Sequence, residues 1–284
     1  MEVAWDMGAS LSCCYEAADE DIFKKYRYRS DSIDMPEDWA ALRLPIHLEL
    51  AALTSEDEIR KTIDSNGSVY LLSKDSKGRL PLHVACNISG TRYGGGSSQS
   101  HSVIKAVYQR EPQAIRKGDS FNWYPLHHAL ANSSSFETVK MLLEAFPQAV
   151  KVLADGWHPL RLAIANKAST QSILAVLKAD ADASKVRSSS GSYHLHFSIL
   201  HRTEEEVIKA VLVEFPEAAR QKSGHGSLPL HLALQHDAPV GAVLAIIAAH
   251  PQGAATPDGD GSYALNLALA NKFSHEVSDC AFVG

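Results

Sequence analysis

Short apolar stretches set between polar turns recur along the chain at a near-constant interval. Leu44-Pro45-Ile46-His47, Leu80-Pro81-Leu82-His83, Tyr124-Pro125-Leu126-His127, His158-Pro159-Leu160-Arg161, Tyr193-His194-Leu195-His196, Leu228-Pro229-Leu230-His231 and Tyr263-Ala264-Leu265-Asn266 are versions of one four-residue phrase. Their fourth positions lie 36, 44, 34, 35, 35 and 35 residues apart. The one long interval contains the Gly/Ser-rich run 90–100, which reads as an insertion. A fixed period in this range marks a stacked array of supersecondary units, here beginning near Asp38 and running to the C-terminus.

Each copy predicts the same order of elements. Five residues before the fourth position stands Gly78, Gly156, Gly191, Gly226 or Gly261, with Asn122 in the remaining complete copy. Gly and Asn tolerate positive φ, so a tight turn is expected there. Proline then opens a short apolar helix in five copies, at the position where its missing N–H costs nothing. A polar loop leads to a second helix, which three sequence pairs mark as starting with a capping box: Ser55/Glu58, Ser134/Glu137 and Thr203/Glu206. Pro147, Pro216 and Pro251 stop that helix 20 residues after the fourth position, and Pro112 does so once the insertion is allowed for.

This phrase resembles the ankyrin repeat, a turn–helix–helix unit of about 33 residues with the signature Thr-Pro-Leu-His-x-Ala. The resemblance covers residues 38–284 and implies an all-α solenoid of seven units preceded by an irregular arm, residues 1–37. There are departures. Thr gives way to Leu, Tyr or His, the usual Gly-Ala-Asp ending is replaced by Pro-x-Ala, copies four and seven lose the His, and copies five and seven lose the Pro.

Fourteen histidines invite a metal or catalytic reading. Five of them, His47, His83, His127, His196 and His231, share one repeat position, so they form a ladder along the array and do not converge on an ion. The ankyrin resemblance implies that each braces its turn against the neighbouring unit. The sequence has no His-Glu-x-x-His and no paired Cys-x-x-Cys, and Gly94-Gly95-Gly96 lacks the Lys of a phosphate loop. No Gly-x-Ser-x-Gly elbow or kinase signature set is present. The expectation is a non-catalytic protein with no cofactor, no metal and no small-molecule substrate.

The same resemblance places variable contact positions six and four residues before the His and four to five after it. On this chain these are Lys77 and Arg79, Phe121 and Trp123, Asp155 and Trp157, then Asn132, Asn166, His201 and His236. Trp123 and Trp157 occupy one slot in adjacent units, and Trp and Arg are common interface anchors. Either they hold a protein or peptide partner, or each ring folds onto its own turn and covers the helix start. The run Val240 to Ala249 is apolar nearly all round, which reads as close packing between neighbours or as a contact site on the outer surface. With the last unit stopping at Phe282-Val283-Gly284, it also raises the alternative of a structural subunit of a larger assembly.

Charge and cysteines set the remaining bounds. The chain has 284 residues and a net charge of −6, which argues against a nucleic-acid partner read through a basic face. Residues 1–40 hold ten acids and four bases, so the array itself is close to neutral. Four cysteines without a framework spacing, and no apolar signal core at the N-terminus, fit a reducing, cytoplasmic setting. Within the arm, Met7-Gly8-Ala9-Ser10-Leu11-Ser12-Cys13-Cys14 matches a myristoylation pattern followed by two palmitoylation candidates. Acylation at Gly8, Cys13 and Cys14 requires a start at Met7, and would make the protein a membrane-tethered adaptor with peripheral membrane contact.

Overall fold

The computed structural model describes residues 56–66, 71–88, 98–188 and 190–271. The arm 1–37, with Gly8, Cys13 and Cys14, the first copy of the phrase with His47, and the segment after residue 271 lie outside the described residues. Among the described residues, twelve α-helices form two rows. The short first helices are α2 (Pro81–Ile88), α4 (Pro125–Ala131), α6 (Pro159–Ala165), α8 (His194–Leu200), α10 (Pro229–Gln235) and α12 (Ala264–Ala270). The second helices are α1 (Glu56–Asn66), α3 (Ser98–Arg110), α5 (Phe136–Ala145), α7 (Thr170–Ala179), α9 (Glu205–Glu214) and α11 (Val240–Ala249). Each row packs on itself from unit to unit, and each first helix from α2 to α10 packs on the second helix that follows it. Among the described residues there is no strand, and only isolated bridges occur, Ala154–Trp157 and Arg187–Tyr193.

The core follows from the phrase. Its third residue, Leu82, Leu126, Leu160, Leu195 or Leu230, is at most 2% exposed in every described unit from the second to the sixth. Each such burial is worth about 2 kcal/mol, and because the leucines recur once per unit they knit neighbours into a continuous interior. The second helices contribute Val139, Leu142, Ile173, Val176, Val207, Val211, Val243 and Ile246 from their inward faces.

The ending folds as a 3₁₀ turn in the second to sixth units: Pro112–Arg116, Pro147–Lys151, Pro216–Arg220, Pro251–Ala255 and, without proline, Ala181–Lys185. Its buried third residue (Ala114, Ala149, Ala183 or Ala218, and Gly253 in the sixth unit) precedes the return of the chain to the next turn. The expected end of the second helix at proline is therefore met, with an added turn that absorbs the longer period. The insertion contributes the first turn of α3, which starts at Ser98 and reaches 13 residues where the later second helices have ten.

Two of the three expected capping boxes need correction, and Ser55 of the third lies outside the described residues. Ser135, not Ser134, caps α5, its Oγ accepting the Thr138 N–H, and Glu204, not Thr203, stands at the cap position of α9. The reason lies in the preceding helix. Ser134 and Thr203 give their N–H groups to Ala129 and Ser198 carbonyls, closing the C-terminal turns of α4 and α8. Ser133, Lys167, Arg202 and Asp237 sit in those closures at φ of 52 to 55° without being glycine.

Candidate functional site

The turn tips begin with a carboxylate. Asp75, Asp119 and Asp258 stand eight residues before the fourth position of their phrases, and each accepts two turn N–H groups at 2.8–2.9 Å. Ser188 and Ser223 use a hydroxyl in the same place. The turn closes through a positive-φ residue, Gly78, Asn122, Gly191, Gly226 or Gly261. The residue after the carboxylate must be small because tips stack on one another. Ser120 donates its N–H to the Lys77 carbonyl, and a Cβ on Gly224 would sit 2.1 Å from the Ser190 carbonyl oxygen. These carboxylates and small residues escaped the sequence reading, although both recur in frame with the phrase.

The ladder histidines brace this edge. In His83, His127, His196 and His231, Nδ1 accepts the N–H of the residue three before it at 3.0–3.2 Å. Nε2 therefore carries the proton and donates to the carbonyl of Lys117, Val152, Gln221 or Thr256, at 2.9–3.0 Å. Those carbonyls enter the next unit's turn, so each ring ties two units together. Burial pushes His83 down to about 3 and His127 and His196 to about 4, so the rings are neutral near pH 7.

The predicted contact residues differ in exposure and in partners. Phe121 projects from its tip, 54% exposed, and Lys77 and Asp155 also lie on tips. Arg79, in contrast, is 7% exposed and ion-pairs with Asp75 at 2.7 Å, so its charge braces a turn and is not offered to solvent. Asn132 spans two units, its Nδ2 donating to Asn87 Oδ1 and to the His128 carbonyl, while Asn166 donates to the Leu162 carbonyl. Trp123 and Trp157 are half-buried. Trp123 lies against His128, with ring centroids 5.2 Å apart, and His128 in turn bonds Asp119. Burial raises the Asp119 pKa, but the bonds from His128, Trp123 and Phe121 outweigh it and hold the carboxyl below its usual range.

Trp157 has a different neighbour. The Arg161 guanidinium lies 4.5 Å from the Trp157 ring centroid and 4.4 Å from that of Phe197 on α8. Phe197 in turn packs on His201, ring to ring at 4.2 Å. A continuous row thus runs from the fourth tip to the end of α8: Trp157, Arg161, Phe197, His201. Two members were expected contacts. The other two were missed, although an Arg in the ladder position was a visible break in the pattern. His236 takes the His201 position in the next unit and is likewise half-buried.

On the outer row, α11 packs on α9 and α10 through Ala242, Val243, Ile246 and Ile247. Gly241 faces Glu205 so closely that a Cβ would strike the carboxylate. Cys86 is fully buried, which raises its pKa and leaves it no nucleophile. Among the described residues no group of three His, Cys, Asp or Glu is placed to hold a metal ion, and no helix is long and apolar enough to cross a membrane.

No family model and no curated protein matches the sequence. Solved structures do match in shape. The human ASB11 ankyrin repeat domain aligns with TM-score 0.60 at 15% identity, over 84% of this chain and 96% of that one. The ankyrin repeat domain of Bcl-3, a member of the IkappaB protein family, gives 0.53 at 17% identity over 84% and 98%. A chain from the complex of the Bd0816 predatory endopeptidase of Bdellovibrio bacteriovorus with immunity protein Bd3460 gives 0.53 at 14% over 74% and 99%. Identities this low speak for the fold alone, and with the histidine-braced turns and paired helix rows described above they make this chain an ankyrin-repeat solenoid.

Proposed function

We propose that the protein is a non-catalytic interaction scaffold that holds a protein or peptide partner across its turn tips and first helices. The observation that carries this reading is the row of half-exposed aromatic, cationic and imidazole side chains along the third to fifth units, from Phe121 and Trp123 to Trp157, Arg161 and His201. A solenoid offers such a face without a deep pocket, and large rings at its rim supply contact area at low entropic cost. The buried ladder histidines are neutral turn braces, already bonded at both nitrogens, and are not available for acid–base work.

Affinity capture from native lysate with mass spectrometry, using wild type beside Trp123→Ala/Trp157→Ala, tests the assignment. The expected result is a reproducible partner lost from the double variant while its helicity and cooperative unfolding persist. Retention of the same partners by the folded variant would place binding elsewhere.

A further inference from the structure

The fourth and fifth units meet through residues that depart from the array's own pattern at three positions of one junction. The 3₁₀ turn between them, Ala181–Lys185, starts with alanine where the other four start with proline. Its fourth residue is Ser184, where the others have Ile115, Val150, Ala219 and Ala254, all buried. α8 then opens with His194 at the position held by Pro81, Pro125, Pro159 and Pro229 in other units. Proline at such places lowers the entropy of the unfolded chain. Its loss at both places removes a stabilising contribution that most neighbouring junctions keep.

The two polar newcomers are sealed from water without being satisfied. Ser184 is 0% exposed and His194 5%, and neither the Ser184 hydroxyl nor either His194 nitrogen makes a hydrogen bond. The carbonyls of Ala183 and Val186 face the His194 ring but stay outside bonding geometry. Burial, then His158 and Arg161, push His194 down to about 3, so the ring is neutral and no charge offsets its desolvation. His158 lies edge-on to it, with ring centroids 5.7 Å apart, and is itself half of a buried polar pair with Asp180. Among the described residues outside this junction, only His250 Nδ1 is a buried side-chain atom left in the same position.

A buried polar atom without a partner regains its hydrogen bonds to water once the contact opens. In a solenoid each unit touches only its neighbours, so this penalty falls on one interface and is not shared along the array. Leu160, Ile164, Leu195 and Ile199 still fill the junction with apolar contact. The units therefore stay joined, with the least margin at this place.

We infer that the junction between α7 and α8 is a built-in joint, at which the array opens into an α1–α7 block and an α8–α12 block before it opens elsewhere among the described residues. The inference goes beyond the scaffold reading and does not depend on it. The joint crosses the row of rings on the tips. Trp157 and Arg161 stand on one side and Phe197 and His201 on the other, so opening parts the guanidinium from its second ring.

Hydrogen exchange of the full chain, read by mass spectrometry, tests this with wild type beside Ser184→Ala/His194→Pro. Both substitutions install residues the array uses at these positions in other units. Tyr193 is already extended, at φ −94° and ψ 166°, as suits a residue before proline. In wild type α8 to α11 should exchange together, about tenfold or more faster than α4 to α7. The double variant should narrow that gap by about tenfold, and Ser184→Ala alone, the milder change, should narrow it in the same direction. Equal rates in the two groups, or a graded rise toward the C-terminus as in fraying, would overturn the inference. A gap left unchanged by both variants would overturn it as well.

Discussion

The third and fourth units have the same two helices and the same 3₁₀ return, yet they close differently. In the third, Tyr124 packs on Phe146 with ring centroids 5.6 Å apart, and His127 joins the Tyr124 N–H to the Val152 carbonyl. In the fourth, His158 and Asp180 occupy the places of Tyr124 and Phe146, bonded at 3.2 Å, and Arg161 stands in for the histidine. His158 also caps its helix, Nδ1 accepting the Leu160 N–H at 3.3 Å. An aromatic pair with a ladder bond has become a buried polar pair with a stacked cation. One fold tolerates both because each closing pair stays within its own unit, while the buried leucines carry the stacking. The fourth unit therefore has latitude to present a charged side chain where its neighbours spend the position on bracing.

Acid is the harshest way to break this comparison. Burial holds the folded pKa of His83 and His194 near 3 and of His127 and His196 near 4. Their unfolded values lie near 6.5, so as pH falls below that point the unfolded chain binds protons that the folded array refuses. Stability is then full above about pH 6.5 and is lost downward toward pH 4, each such histidine costing up to about 1.4 kcal/mol per pH unit. Denaturant titrations at stepped pH should show the array losing several kcal/mol before pH 5, and a flat profile from pH 7 to 5 would contradict the buried, neutral rings.

Single substitutions separate the two units. His127→Ala removes two bonds and strands a buried N–H and carbonyl, which should cost about 3 kcal/mol by equilibrium unfolding. Arg161→Ala at the same repeat position should cost about 1 kcal/mol, the worth of its ring contacts. Equal losses would mean that the arginine braces the array as the histidine does. In the closing pair, Asp180→Phe alone should destabilise by about 2 kcal/mol by leaving His158 without its carboxylate. Adding His158→Tyr should recover that loss, because a buried polar pair exchanged whole for apolar rings is often neutral or favourable. Simple additivity of the two changes would show that the residues do not act as a pair.

A smaller effect concerns the helix ends. Lys167 closes α6 at φ 54°, a conformation that costs a residue with a Cβ about 1 kcal/mol. Lys167→Gly should therefore raise stability by about that amount, whereas a loss would mean that its side chain is needed.

The sequence made the period, the turn–helix–helix unit and the leucine core legible because each recurs in frame. The proline stops were legible for the same reason, proline having a fixed local effect. The helix caps were misplaced by one residue, since Ser134 and Ser135 are equally good caps and only the closure of α4 decides between them. The contact positions were named by frame, but frame says nothing of exposure. Arg79 falls on a contact position and is buried against Asp75, whereas Phe121 falls on another and projects. The clamp at Arg161 was hidden because its second ring, Phe197, belongs to the next unit, and a pairing across units leaves no local trace.

The account turns on whether Arg161 is there for the array or for a partner, and a denaturant titration of Arg161→His decides it most directly. The account predicts a higher midpoint at unchanged slope, with a gain of about 1 kcal/mol as the new ring supplies the brace that the ladder histidines make in the other units. A lower midpoint would contradict it, because the arginine would then be a structural brace of the fourth unit.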